Sequence, residues 1–110
     1  MTQQENDDGA ITIAFVGHTT AALADRAAAY EDAVLPLLAR HGARLVYRGR
    51  RRAGEDASLP FEVHLIRFPD RASFDGYLAD PGRAALLDDF GEVFTAKVVV
   101  ELDTIASNPP

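Results

Sequence analysis

The order in which two hydrophobic periodicities follow one another constrains this chain most. "ITIAFVGHT" (Ile11 to Thr19), "ARLVYRG" (Ala43 to Gly49), "FEVHLIRF" (Phe61 to Phe68) and "TAKVVVELD" (Thr95 to Asp103) are short and rich in β-branched residues, and they read as strands. Between the first two, Leu23, Ala27, Tyr30, Val34, Leu37 and Leu38 recur at helical spacing. Gly42 then supplies a left-handed ending. Thr19 or Thr20 is expected to cap this helix, and Pro36, which lacks an amide donor, to kink it. Between the last two strands, Asp70 and then Asp80-Pro81 each signal a helix start, so two helical pieces joined near Ala79 are expected. The second piece carries Ala84, Leu87, Phe90 and Phe94 on one stripe. The polar stretch "RRRAGEDASLP" suits a hairpin loop between the middle strands.

The resulting order, β-α-β-β-α-β, is the ferredoxin-like pattern: an α+β fold with a four-stranded antiparallel sheet and helices on one face. Side chains two apart in a strand share a face. Alternation assigns Ile11, Ile13, Phe15, Leu45, Tyr47, Phe61, Val63, Leu65, Val98, Val100 and Leu102 to the helix side. The opposite face then carries Ala14, Val16, His18, Val46, Arg48, Glu62, His64, Ile66, Phe68, Lys97, Val99 and Glu101. That face is too apolar to stand in water, and a second copy of the chain is its simplest cover.

The 110 residues, 47% of them hydrophobic and 25% charged, suit one domain over residues 10–103, with tails at 1–9 and 104–110. With no cysteine, neither a disulfide framework nor a thiolate nucleophile is possible, which suits a cytoplasmic location. No run approaches the roughly 18 apolar residues that signal a membrane span. The net charge of −6 opposes binding to nucleic acid.

Two stretches also carry a family resemblance. "YEDAVLPLLARHGARLVYRG" has a tyrosine early in its helix, a proline before the last turns and His-Gly at its close. "LIRFPDRASFDGYLADPGRAAL" has a strand ending in Phe-Pro and a helix broken at Asp-Pro. Together they cover most of Tyr30 to Leu86 and resemble an uncharacterised family of the dimeric α+β barrel superfamily. The resemblance implies a homodimer with two sheets packed face to face. It also implies relatives that include cofactor-free monooxygenases of antibiotic biosynthesis, small isomerases and cyclases, and haem-binding proteins. Arg67 departs from the pattern, standing where an acidic residue is expected before Phe-Pro.

The candidate chemistry centres on His64. Glu62 lies two residues away on the same strand, where its carboxylate would orient the imidazole as a general base. His18 is expected on the same face of a neighbouring strand, and Arg48 as a stabiliser of developing negative charge. The competing reading makes His64 a structural residue satisfied by Glu62. His18, His64 and Glu62 also supply the three ligands of an open metal site, but without an HxH or HExxH motif, so neither a metal nor an organic cofactor is assigned. His41 beside Gly42 suits a helix end. Arg48, Arg50, Arg51 and Arg52 form either an anion-binding cluster or a solvated hairpin paired with Glu55 and Asp56. The expected function is a small enzyme acting on an apolar or aromatic metabolite by proton transfer or cofactor-free oxygenation, in a pocket between sheet and helices. A non-catalytic ligand-binding module of the same fold is the alternative.

Overall fold

The structure, a computed structural model, describes residues 9–105. The expected tails fall outside the described residues except for Gly9, Thr104 and Ile105. The elements follow the expected order: β1 (Ile11–His18), α1 (Ala24–Val34), a 3-10 helix (Leu35–His41), β2 (Arg44–Arg50), β3 (Glu62–Phe68), α2 (Arg71–Leu78), α3 (Pro81–Phe90) and β4 (Ala96–Leu102). The four strands form one antiparallel sheet in the order β2-β3-β1-β4. This is the ferredoxin-like α+β arrangement.

Local chemistry sets the boundaries. Pro36 lies in the first turn of the 3-10 helix, so the regular helix ends just before it. Gly42 closes that segment with φ of 68°. The Asp70 side chain accepts a hydrogen bond from the Ser73 amide at 2.8 Å, and Asp80 accepts from the Gly82 amide at 2.7 Å, capping α2 and α3. The N-cap of α1 itself is Leu23, which makes no side-chain cap bond, but Thr20 caps the turn that leads into the helix, its hydroxyl accepting from the Leu23 amide at 3.3 Å, while Thr19 donates to the Val93 carbonyl at 2.5 Å. Phe94 lies beyond the end of α3, which stops at Gly91 with φ of 72°.

The core sits between the sheet and the helices, where Ile13, Ile66 and Phe68 meet Ala27, Tyr30, Val34, Leu38 and Tyr77. The facing of two strands differs from expectation. Ile13 pairs with Ile66 and Phe15 with His64, so Glu62, His64, Ile66 and Phe68 point toward the helices and Val63 and Leu65 away. In β4, Phe15 pairs with Val99, so Lys97, Val99 and Glu101 are on the helix side and Val98, Val100 and Leu102 on the open side. Both strands are turned over relative to β1. Each carries apolar residues at odd and even positions alike, so alternation alone does not choose between the faces.

A bulge supplies the third correction. The β2-β3 register shifts between Leu45 and Tyr47, with Leu45 opposite Ile66, Tyr47 opposite Leu65 and Arg48 opposite His64. The extra residue, Val46, sends Tyr47 to the open face and turns Arg48 and Arg50 to the helix side. The open face therefore presents Val16, Tyr47, Val63, Leu65, Val98, Val100 and Leu102. Val98 is 52% exposed and Val100 44%. No helix among the described residues is long and apolar enough to cross a membrane.

Candidate functional site

His64 lies on the helix side of β3, only 2% exposed, not on the open face where it was expected. Its Nε2 is 2.5 Å from Glu62 Oε1. Two arginines of β2 hold that carboxylate. Arg48 donates from Nε to Oε1 at 3.0 Å and from Nη2 to Oε2 at 3.1 Å, and Arg50 donates from Nε to Oε2 at 2.8 Å and again from Nη2. Burial alone would raise the Glu62 pKa, but the hydrogen bonds from His64, Arg48 and Arg50 outweigh it and hold the value down at about 2. Glu62 is thus an ionised acceptor. In the neutral imidazole the Nε2 proton points at it, leaving Nδ1 as the free acceptor.

The other side of the ring meets a residue that sequence reasoning missed. Glu31 of α1, 4% exposed, brings Oε1 to 4.0 Å from His64 Nδ1. Burial pushes its pKa up to about 7, an effect that the positive form of His64 opposes and Glu62 reinforces. The signal was present in the helix spacing. Glu31 stands between Ala27 and Val34 on the buried stripe, where a carboxylate needs a reason to be.

Both residues face a cavity of about 120 Å³ between the sheet and the helices. Phe15, Phe68, Phe74, Tyr30 and Tyr77 supply much of its wall, and Arg83, Glu92 and Lys97 add charge. The Phe15 ring stacks on His64 with centroids 4.9 Å apart and meets Phe94 edge-on at 5.4 Å. Gly17 permits that approach, because a Cβ there would lie 2.8 to 2.9 Å from both phenyl rings. Leu78, Leu87 and Val99, each more than 40% exposed, form an open apolar rim.

The other expected site residues fall elsewhere. His18 pairs with Ala96 on the open side of β1, so it does not share the face of His64 and the set His18, His64 and Glu62 does not assemble. Arg48 neutralises Glu62 and also donates to Asp32 at 2.9 Å, and it does not line the cavity. Arg48 and Arg50 turn inward from the expected hairpin cluster. Arg51 donates to the Leu59 carbonyl at 2.9 Å and lies against the Phe61 ring. His41 does sit at a helix end, where its Nε2 is 2.7 Å from Asp80 Oδ2.

Glu31, Glu62 and His64 each place one donor atom within 4.8 Å of the others, the number of protein ligands in an open metal site. The charges do not suit a dication. Both Glu62 oxygens already accept from guanidinium groups, which add positive charge at the point where a metal would need the carboxylate.

The raised Glu31 pKa makes a signed prediction. The unfolded carboxyl ionises above its ordinary 4.5 and the folded one only above about 7, so the folded state binds the extra proton and stability falls as pH rises through that window. Glu31→Gln is expected to flatten the decline and to stabilise the protein on the order of 2–3 kcal/mol at pH 8. Urea unfolding at pH 5 and pH 8 measures it, and equal pH slopes for both proteins would disprove it.

Comparison with known proteins adds the fold's wider identity. No family model and no curated protein matches the chain. Among solved structures, a dimeric protein of unknown function and ferredoxin-like fold from Bacteroides fragilis aligns with a TM-score of 0.65 at 14% identity. The alignment covers 86% of this chain and 96% of that one. SnoaB, a cofactor-independent oxygenase from Streptomyces nogalater, aligns with a TM-score of 0.62 at 14% identity, over 92% and 96% of the two chains. The fold that this chain shares with the Bacteroides fragilis protein is the ferredoxin-like one. A protein of unknown function from Rhodopseudomonas palustris shares it with a TM-score of 0.67 at 17% identity, over 89% of this chain and 84% of that one. At identities this low the likeness shows the ferredoxin-like fold alone, and function rests on the site itself.

Proposed function

We propose that the chain is a small, cytoplasmic, homodimeric enzyme that moves a proton on an apolar or aromatic metabolite without an organic cofactor. The observation that carries the reading is the buried Glu62–His64–Glu31 row at a cavity wall, with Glu62 anchored by two arginines. Glu62 orients His64, whose Nδ1 takes a proton from a substrate carbon beside a carbonyl group. The C–H electron pair moves into the enolate, and the enolate oxygen takes a proton from the carboxyl of Glu31. In a β,γ-unsaturated ketone the resulting dienol takes the proton held by His64 at its far carbon while its hydroxyl proton returns to Glu31, which gives the conjugated isomer and restores both groups. The same deprotonation of a hydroxyarene would prepare it for oxygen, the chemistry class named for SnoaB. A pKa of about 7 suits Glu31 to give and regain a proton near neutral pH.

The test is hydrogen–deuterium exchange at the carbon next to the carbonyl of phenylacetone and of phenylpyruvate in D₂O, followed by proton NMR. Exchange at least tenfold above the protein-free rate is expected. No acceleration of either probe, with saturable shifts of cavity resonances, would make the chain a binding module instead.

Homodimer formation is supported by the apolar open face and by the dimeric relative from Bacteroides fragilis. Native mass spectrometry is expected to give twice the chain mass, and Val100→Asp, which puts a charge on that face, to give monomer. A monomer from the unaltered protein would refute the assembly.

A further inference from the structure

Arg83 is the one cavity-lining cation with a visibly unmet need. Its Nε is buried and has no hydrogen-bond partner among the described residues. Its guanidinium lies over the Tyr77 ring, 5.1 Å from the centroid. Tyr77 is itself buried, so the arginine is held in one orientation at the wall. A buried donor left unpaired is costly and rare, and it marks a place where a partner belongs.

The surroundings limit that partner. A cavity of about 120 Å³ compares with the roughly 150 Å³ apolar cavity that accepts one benzene ring. The walls are mostly aromatic, and Arg83 is placed to receive an oxyanion by charge-assisted hydrogen bonding. We infer that the cavity takes single-ring aromatic carboxylates and that Arg83 recognises the carboxylate. The other charged groups on the wall allow this. Lys97 adds positive charge at the rim, Glu92 is exposed, and Glu31, protonated up to about pH 7, presents a donor and not a repelling charge. The inference rests on the proposed function only in taking this cavity as the working site.

Benzoate and its neutral isostere benzamide are the probes, titrated at pH 6 and followed by NMR. Benzoate is expected to bind at least tenfold tighter than benzamide. Arg83→Gln is expected to weaken benzoate at least tenfold while leaving benzamide unchanged. Equal affinities for the two probes, no binding of either, or a benzoate affinity unmoved by Arg83→Gln would overturn the inference. Should the variant not fold, the Arg83 Nε–H resonance of the unaltered protein reads the same contact. A shift with benzoate alone supports the inference, and no shift overturns it. Benzoate contact without exchange of either ketone would sink the catalytic reading alone, and exchange without benzoate contact would sink this inference alone.

Discussion

Glu62→Ala is expected to lower the unfolding free energy by about 3–5 kcal/mol, the usual cost of removing one partner from a buried charge cluster. The substitution leaves three groups behind. His64 loses its only hydrogen bond among the described residues, and Arg48 and Arg50 lose the carboxylate that both guanidinium groups share, Arg48 keeping only Asp32. Glu62 is fully buried, so the loss falls hardest on His64, which is buried with it, and less on the partly exposed Arg50. Urea unfolding at pH 7 measures the effect, and a loss below about 1 kcal/mol would mean that the arginines relax outward and the cluster contributes little. The pH dependence identifies the cause. With its pKa lowered from 4.5 to about 2, the Glu62 contribution is complete above pH 4.5 and fades as pH falls toward 2. The curves for the natural and Glu62→Ala proteins are therefore expected to converge in acid.

The second large effect belongs to His64. His64→Gln keeps much of the side-chain volume and a polar tip near Glu62, but removes the imidazole that the mechanism uses as base. Ketone proton exchange is expected to fall by about 10²–10⁴-fold, the range that positioned general bases supply. Glu62→Gln reports through the same group and should cost less, because it disturbs the tautomer and orientation of an imidazole still present. A His64→Gln protein that folds, keeps its benzoate affinity and retains exchange within about threefold would remove His64 from the mechanism. Activity lost in Glu31→Gln alone would transfer the base to Glu31.

The elements were legible in the sequence because their signals are local. Pro36, Gly42, Asp70 and Asp80-Pro81 act on the backbone within one turn, and the structure keeps each of them where such chemistry predicts. That Glu62 and His64 share a face was also legible, since it follows from period two along β3, whereas Arg48 joins them only through the bulge at Val46, which alternation does not show. Which face they occupy was not legible. Val63 and Leu65 are as apolar as Ile66 and Phe68, and the choice depends on two arginines from another strand compensating an inward carboxylate. Glu31 escaped notice for the opposite reason. Its place on the buried stripe was visible, but what it meets is a histidine 33 positions along the chain, brought near only by packing α1 on the sheet.

Val46 shows how little backbone decides this outcome. Were Val46 paired regularly instead of bulging out of the ladder, β2 would keep strict alternation beyond Leu45, and Arg48 and Arg50 would project from the side of the sheet that carries Val98 and Val100. Glu62 would then be an uncompensated interior charge, and the apolar outer surface would carry two cations. The bulge thus couples the interior chemistry to the exterior surface, and drawing Val46 back into the ladder would exchange one for the other.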